Sequence, residues 1–333
     1  MSANPDQLKL VKEHSRPLPT FCVARAPESN RVFFGSADFK VYEGDPAAAK
    51  FEPKELYGHE SYVTGLALAD NMLVSGGYDG KLVWWDIKQN KQVRSTQAHT
   101  KWIRKVVATR DGKLVASVAD DMVCRLWEGN SGKMLKELRG HQEQTPHQYP
   151  SMLYAATFSS DGKHLATGDK TGHIVVWDVD SGNQINTLEA PVMYTWDPVQ
   201  RRHSIGGIRT VAFSPNGKWL AAGGIGKIGN IDHLEGKPRL EVFEWAKGKK
   251  LLESETDKFK GIINHIEWAP DGAWLVGAGG AADGFMIFFD AKGKKALRQE
   301  KGGSHIHAFV FDASAESLIT VGHNKICVYE MKG

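Results

Sequence analysis

One short pattern, an apolar residue followed by an aromatic and an acid, recurs seven times along the 333 residues. It reads Val41-Tyr42-Glu43, Trp84-Trp85-Asp86, Leu126-Trp127-Glu128 and Val176-Trp177-Asp178, then Val242-Phe243-Glu244, Phe288-Phe289-Asp290 and Val328-Tyr329-Glu330. Successive aromatics lie 43, 42, 50, 66, 46 and 40 residues apart. A period of this size means one supersecondary unit repeated, each copy burying its apolar faces against its neighbours. Ahead of the pattern, in the regular copies, stand the turn pairs Asp111-Gly112, Asp161-Gly162, Asn216-Gly217 and Asp271-Gly272. Such pairs suit turns that need a positive φ, and the alternating runs around them make them hairpin signals. Residues 101–140 show the unit: KWIRKVVATR, KLVASVA, MVCRLWE and KMLKELR read as four short strands. Asn130-Ser131-Gly132 forms the turn between the last two. No segment keeps a 3.6-residue period, so the chain is expected to be all-β.

An apolar share of 41% is ample for a buried core. A formal charge of +3 offers no global argument for binding nucleic acid. Cys22, Cys124 and Cys327 lie far apart among apolar neighbours and read as buried free thiols rather than a disulfide framework. The first residues, MSANPDQLKLVKEHSRP, contain no apolar signal-peptide core, and no apolar run reaches the ~20 residues of a membrane helix. A cytoplasmic location without membrane insertion is the expectation.

At this point the chain resembles a known family, the WD40-repeat β-propellers. The resemblance rests on Gly58-His59, Gly140-His141 and the near match Ala98-His99, together with Trp85-Asp86 and Trp177-Asp178. It implies a seven-bladed propeller of four-stranded blades. It also implies blade ties made by a His, a Ser or Thr, an Asp and a Trp. His59, Ser75, Asp79 and Trp85 fit the second unit, and His99, Ser117, Asp121 and Trp127 fit the third at the same spacing from Ser to Trp. The fourth keeps Thr167 and Trp177 but has Thr171 where the Asp is expected, and the other four units lack the set. Turns such as SPNGKWLAAGG are similar to those of many bacterial propellers.

The last unit has only three strands, whereas Gln7–His14 alternates apolar and polar residues and belongs to no first-unit position. Residues 7–14 are therefore expected to close the ring as the outer strand of the last blade. Residues 7–333 would then be one domain, with 1–6 as a flexible start. A propeller left open would expose a strand edge.

Insertions fall at 142–150, 190–206, 224–240 and 277–284, all assigned to loops on the top face of blades four to six. They carry His147, Tyr149, Tyr194, Trp196, Arg201, Arg202, His203, His233 and Arg239. Aromatics with arginine are the composition of binding hot spots. Aligning the inner strands places Phe21, Thr64, Arg104, Tyr154, Arg209, Asn264 and His307 at the top mouth of the channel. Arginine forks there, which match carboxylates and phosphates, suit an acidic peptide or another anionic group. The opposite face carries Lys88, Lys91, Lys113, Lys133, Lys163, Lys218, Lys247, Lys249, Lys250, Lys292, Lys294 and Lys295, interspersed with acids, and reads as solvated.

Of the thirteen histidines, His305 and His307 alternate on one strand and could share a metal with His265 or His323. That is the alternative reading, a propeller enzyme or ligand-binding protein with a His-containing site, able to take a metal, in the central channel. The sequence has no HExxH, no GxSxG and no phosphate loop; the glycine-rich run 223–229 precedes no helix. The preferred expectation is a non-catalytic interaction platform without cofactor. Its partner would be an acidic protein or peptide, within a larger complex and without specific nucleic-acid recognition.

Overall fold

The Asp-Gly and Asn-Gly pairs form the turns expected of them. Gly112, Gly162, Gly217 and Gly272 have φ of +67°, +71°, +69° and +71°. Three turns are clamped from inside: the hydroxyls of Thr109, Ser159 and Ser214 donate to Asp111, Asp161 and Asn216 at 2.7, 2.6 and 2.8 Å. Each pins the first strand of a blade to the second, and two further strands of chain complete the sheet.

The computed structural model describes residues 3–232, 234–281, 283–291 and 296–332. It contains seven four-stranded sheets, the blades of a β-propeller, and one extra two-stranded hairpin. Blades 1 to 6 occupy 20–58, 63–97, 103–138, 153–189, 208–255 and 262–301, each with strands a to d in chain order from the centre outward. Blade 7 takes its strands a to c from 306–330 and its outer strand from Lys9–Ser15, which pairs antiparallel with Lys325–Glu330. The closure expected of the N-terminal strand is therefore present.

The core lies between blades. Ala67, Val74, Leu82 and Trp84 of blade 2, for example, pack on Val106, Val115 and Trp127 of blade 3. Burying one such large side chain contributes about 1.5–3 kcal/mol. Outer strands are far more exposed, as in Lys91–Gln97. All three cysteines are free and buried, and burial pushes the Cys22 thiol up to about 12. No helix among the described residues is long and apolar enough to cross a membrane.

Two expectations need correction. Residues 3–6 are not a flexible start. Ala3 and Leu8 are buried between blades 6 and 7, and Asn4 donates its N–H to Met331 O at 3.1 Å. Trp274 Nε1 donates to Ala3 O at 3.3 Å, and Arg298 caps the carbonyls of Pro5, Asp6 and Leu8 at 3.1, 2.7 and 3.0 Å. Nor is 277–284 an insertion, because Trp274–Gly280 and Gly284–Asp290 are ordinary paired strands. Its glycines serve close packing: a Cβ on Gly279 would lie 1.8 Å from Ile262 O.

Candidate functional site

The polar ties come first, because they hold the loops above them. In blade 3, Trp127 Nε1 donates to Ser117 Oγ (2.9 Å), Ser117 lies 2.7 Å from His99 Nε2, and His99 Nδ1 lies 3.0 Å from Asp121. A tryptophan only donates and a carboxylate only accepts, so the protons run from Trp127 toward Asp121. Arg125 completes the chain at 3.0 Å from Asp121. Burial opposes ionisation of Asp121, but hydrogen bonds and charge from His99 and Arg125 outweigh it and hold the carboxyl far below its usual range. Burial lowers His99 in turn, against the opposing pull of the Asp121 carboxylate, and Arg125 is the permanently charged partner of Asp121.

Blades 2 and 4 depart from the expected sets. In blade 2, His59 joins Ser75 (2.7 Å) and Asp79 (3.0 Å), but the donor to Ser75 is the Tyr57 hydroxyl at 3.1 Å. Trp85 stacks on Tyr57 with centroids 4.7 Å apart, and its buried Nε1 has no hydrogen-bond partner. Trp85 is thus not a member of the tie. In blade 4 the carboxylate comes from Asp169, two residues earlier than expected, at 2.8 Å from His141. His141 reaches Thr167 at 2.8 Å, Trp177 donates to Thr167 at 2.9 Å, and Thr171 donates its hydroxyl to Asp169 at 2.7 Å.

Antiparallel order places the b–c and d–a connections at one end of every blade. Three insertions at that end interlock. Tyr194–Asp197 and His203–Gly206 pair as the extra hairpin. The His147 ring, from the preceding insertion, stacks on Trp196 at 3.7 Å and on Tyr194 at 5.7 Å. Tyr149 donates its hydroxyl to Asp197 O at 3.3 Å. On the other side, Ile228 N donates to Thr195 at 3.1 Å, and Arg201 pairs with Asp232. Trp196 remains 40% exposed despite the stack and Val199 77%, so the hairpin offers apolar surface to solvent. Arg202 is exposed at φ +48°. Arg239 is not on this surface. It is buried in blade 5, bonded to Glu241, Glu253 and Glu255 at 2.7, 2.8 and 2.7 Å. His233, Lys292, Lys294 and Lys295 lie outside the described residues.

The seven residues aligned to the channel mouth share a feature that sequence alone does not reveal. Phe21, Thr64, Arg104, Tyr154, Arg209, Asn264 and His307 each sit where the a–b register shifts, as the extra residue of a bulge. A bulge re-aims one side chain out of the alternation, and here it does so once per blade at the same height.

The ring is not uniform. Arg104 is held by a bidentate pair with Asp120 (Nε 2.8 Å, Nη2 2.6 Å) and also donates to the Tyr78 hydroxyl. Arg209 lies over the Tyr154 ring at 3.8 Å, and its buried Nε has no hydrogen-bond partner. Asn264 is committed to the next blade, donating to Ile306 O at 2.9 Å and contacting His305 Nε2 at 2.7 Å. His307 packs edge-on to Phe21 at 5.1 Å, and burial together with His305 and His323 lowers it to about 3. Blades 3 to 5 therefore contribute the positive part of the mouth, and blades 6, 7 and 1 a neutral part.

Sequence reasoning missed a second circle. Tyr78, Asp120 and Lys170 each donate their N–H to the carbonyl two residues before a mouth residue, those of Tyr62, Trp102 and Met152. The signal was available: each stands three residues after Ser75, Ser117 or Thr167.

The rings of His305, His307 and His323 do gather, with centroids 4.7–4.9 Å apart. Yet His305 Nδ1 is engaged by Ala281 O at 3.0 Å and its Nε2 by Asn264. His265 sits deeper, accepting from Phe309 N at 3.0 Å. Among the described residues no three His, Cys, Asp or Glu are arranged to hold a metal ion.

The family profile described as WD domain, G-beta repeat matches residues 52–86, 90–128, 132–178 and 196–227. A nuclear distribution protein PAC1-2 of Uncinocarpus reesii is 26% identical over 250 residues, covering 68% of this chain and 49% of that protein. Protein hir-1 of Neurospora crassa is 27% identical over 185 residues, covering 52% of this chain and 17% of its own length. Apoptotic protease-activating factor 1 of Rattus norvegicus is 30% identical over 178 residues, 53% of this chain and 13% of that protein. The chain spans about half the length, or less, of the curated relatives it matches.

Proposed function

This chain belongs to the WD40-repeat β-propeller family, and we propose that it works there as a non-catalytic platform holding a protein or peptide partner on its top face. The observation that carries the reading is the interlocked hairpin with its exposed Trp196, built from insertions that all rise on one side of neighbouring blades. An aromatic ring pre-stacked on His147 offers contact area at little entropic cost. Tyr194, Arg201 and Arg202 flank it. The partner's acidic residues reach toward the mouth, where Tyr154, Arg209, Asn264 and His307 stand beside the Arg104–Asp120 pair. A cytoplasmic setting, as part of a larger complex, suits this role.

The test is affinity purification with mass spectrometry, followed by titration of the purified partner. Trp196→Ala and Arg209→Ala should each weaken binding by about 1–3 kcal/mol, the usual range for anchor residues. Lys249→Ala, at an exposed site on the opposite face, should leave affinity unchanged. Binding that survives both top-face variants and follows Lys249 would overturn the choice of face.

A further inference from the structure

The positive sector of the mouth is out of balance. Arg104, Lys170 and Arg209 face it, and Asp120 is the carboxylate among the described residues that answers them. Three cations against one carboxylate leave two positive charges in a partly enclosed place, and charge removed from water is costly unless it is paired. Asp120 is consumed by Arg104. Lys170 is only 3% exposed, and its ammonium, with three protons to donate, has one hydrogen-bond acceptor among the described residues, Pro150 O at 3.3 Å. Burial and the two neighbouring arginines disfavour its charged form. The buried Nε of Arg209 has no hydrogen-bond partner among the described residues, and the Tyr154 face fixes the plane of its guanidinium.

The backbone is built to bring these two cations together. Gly207 adopts φ +98°, and a Cβ there would lie 2.5 Å from Lys170 Cα, so the strand that carries Arg209 starts directly against the turn that carries Lys170. We propose that Lys170 and Arg209 form a binding site for a phosphoryl group, either free or carried on a peptide. A carboxylate would cancel one of the two unanswered charges. A phosphoryl group carries about −1.5 to −2 at neutral pH and offers three acceptor oxygens to match a planar fork and an ammonium. The site deepens the platform reading and rests on the top face being the working side.

Inorganic phosphate is the first probe, titrated by calorimetry at fixed ionic strength, with acetate as the monoanion control. Phosphate should bind the wild-type chain and acetate should not. Lys170→Gln and Arg209→Gln should each weaken phosphate at least tenfold, while Lys249→Gln leaves it unchanged. A phosphoserine peptide that binds tighter than phosphate assigns the group to a protein partner; one that binds no tighter assigns it to free phosphate. The inference falls if phosphate does not bind at 20 mM (~20 mM being far above a useful affinity), if acetate binds equally, or if both glutamine variants bind like wild type. In each of those cases, partner capture that still depends on Trp196 would leave the platform reading standing.

Discussion

Blades 2 to 4 and blades 5 to 7 are the same four-stranded sheet held in different ways. In the first group a histidine above each blade bonds Ser75, Ser117 or Thr167 through Nε2 and a carboxylate through Nδ1, and in blades 3 and 4 the tie stays inside one blade and its entering loop. In the second, tryptophans are the cross-blade donors without such a tie: Trp268 donates to Ala212 O at 3.0 Å in the neighbouring blade, and Trp274 to Ala3 O, a reach that Trp84 of blade 2 also makes to Gly129 O at 3.0 Å. Blade 5 adds the buried Arg239–Glu241 network on its outer strands. The family profile ends at residue 227, before the outer half of blade 5. What makes a propeller is therefore the alternation and inter-blade packing common to all seven blades, and the polar tie is one of several ways to lock it.

Arg239→Met leaves Glu241, which is fully buried, facing only Lys250 at 3.2 Å. The expected loss in urea unfolding is about 3 kcal/mol. A loss below about 1 kcal/mol would mean that the blade 5 network contributes nothing a tie does. Next, Asp121→Asn in blade 3 should cost about 1–3 kcal/mol at pH 7. Asp121 has a depressed carboxyl in the folded chain. Its stabilisation is therefore present above the unfolded value, about 3.9, and is lost as pH falls through the folded one. The deficit of the variant should shrink on going from pH 5 to pH 3; a constant deficit would remove the charge from the account.

A smaller but sharper contrast lies in the tryptophans. Trp127→Phe removes the donor to Ser117 and should cost about 1 kcal/mol beyond packing. Trp85→Phe, whose Nε1 has no partner, should differ from it by that amount and approach the cost of packing alone. Equal melting shifts would show that the hydrogen bond is immaterial. Tyr57→Phe, which deletes the substitute donor in blade 2, should resemble Trp127→Phe.

Much of this was readable in advance, for physical reasons that differ by residue. The seven aromatics were visible because each must fill the same inter-blade gap, so spacing survives where identity does not. Asp169 was missed because a histidine can take its carboxylate from either end of a tight turn, and only coordinates tell which. Trp85 was misassigned because sequence cannot show that Tyr57 from the adjacent sheet reaches Ser75 first. The 277–284 stretch resembled a loop because glycine marks turns and close backbone approaches alike. Lys170 and Asp120 stood in plain register, but their role depends on which side chains already answer one another.

The pairing of Lys9–Ser15 with Lys325–Glu330 has a consequence for how the chain is made. Its first strand leaves the ribosome long before its partner exists. At about 5–20 residues per second, the roughly 300 intervening residues take some 15–60 s. Throughout that time the segment around Leu10 and Val11 waits as an unpaired edge, open to self-association or to capture by a chaperone. Closure of the ring thus waits for residues 325–330, whatever the other blades have already formed.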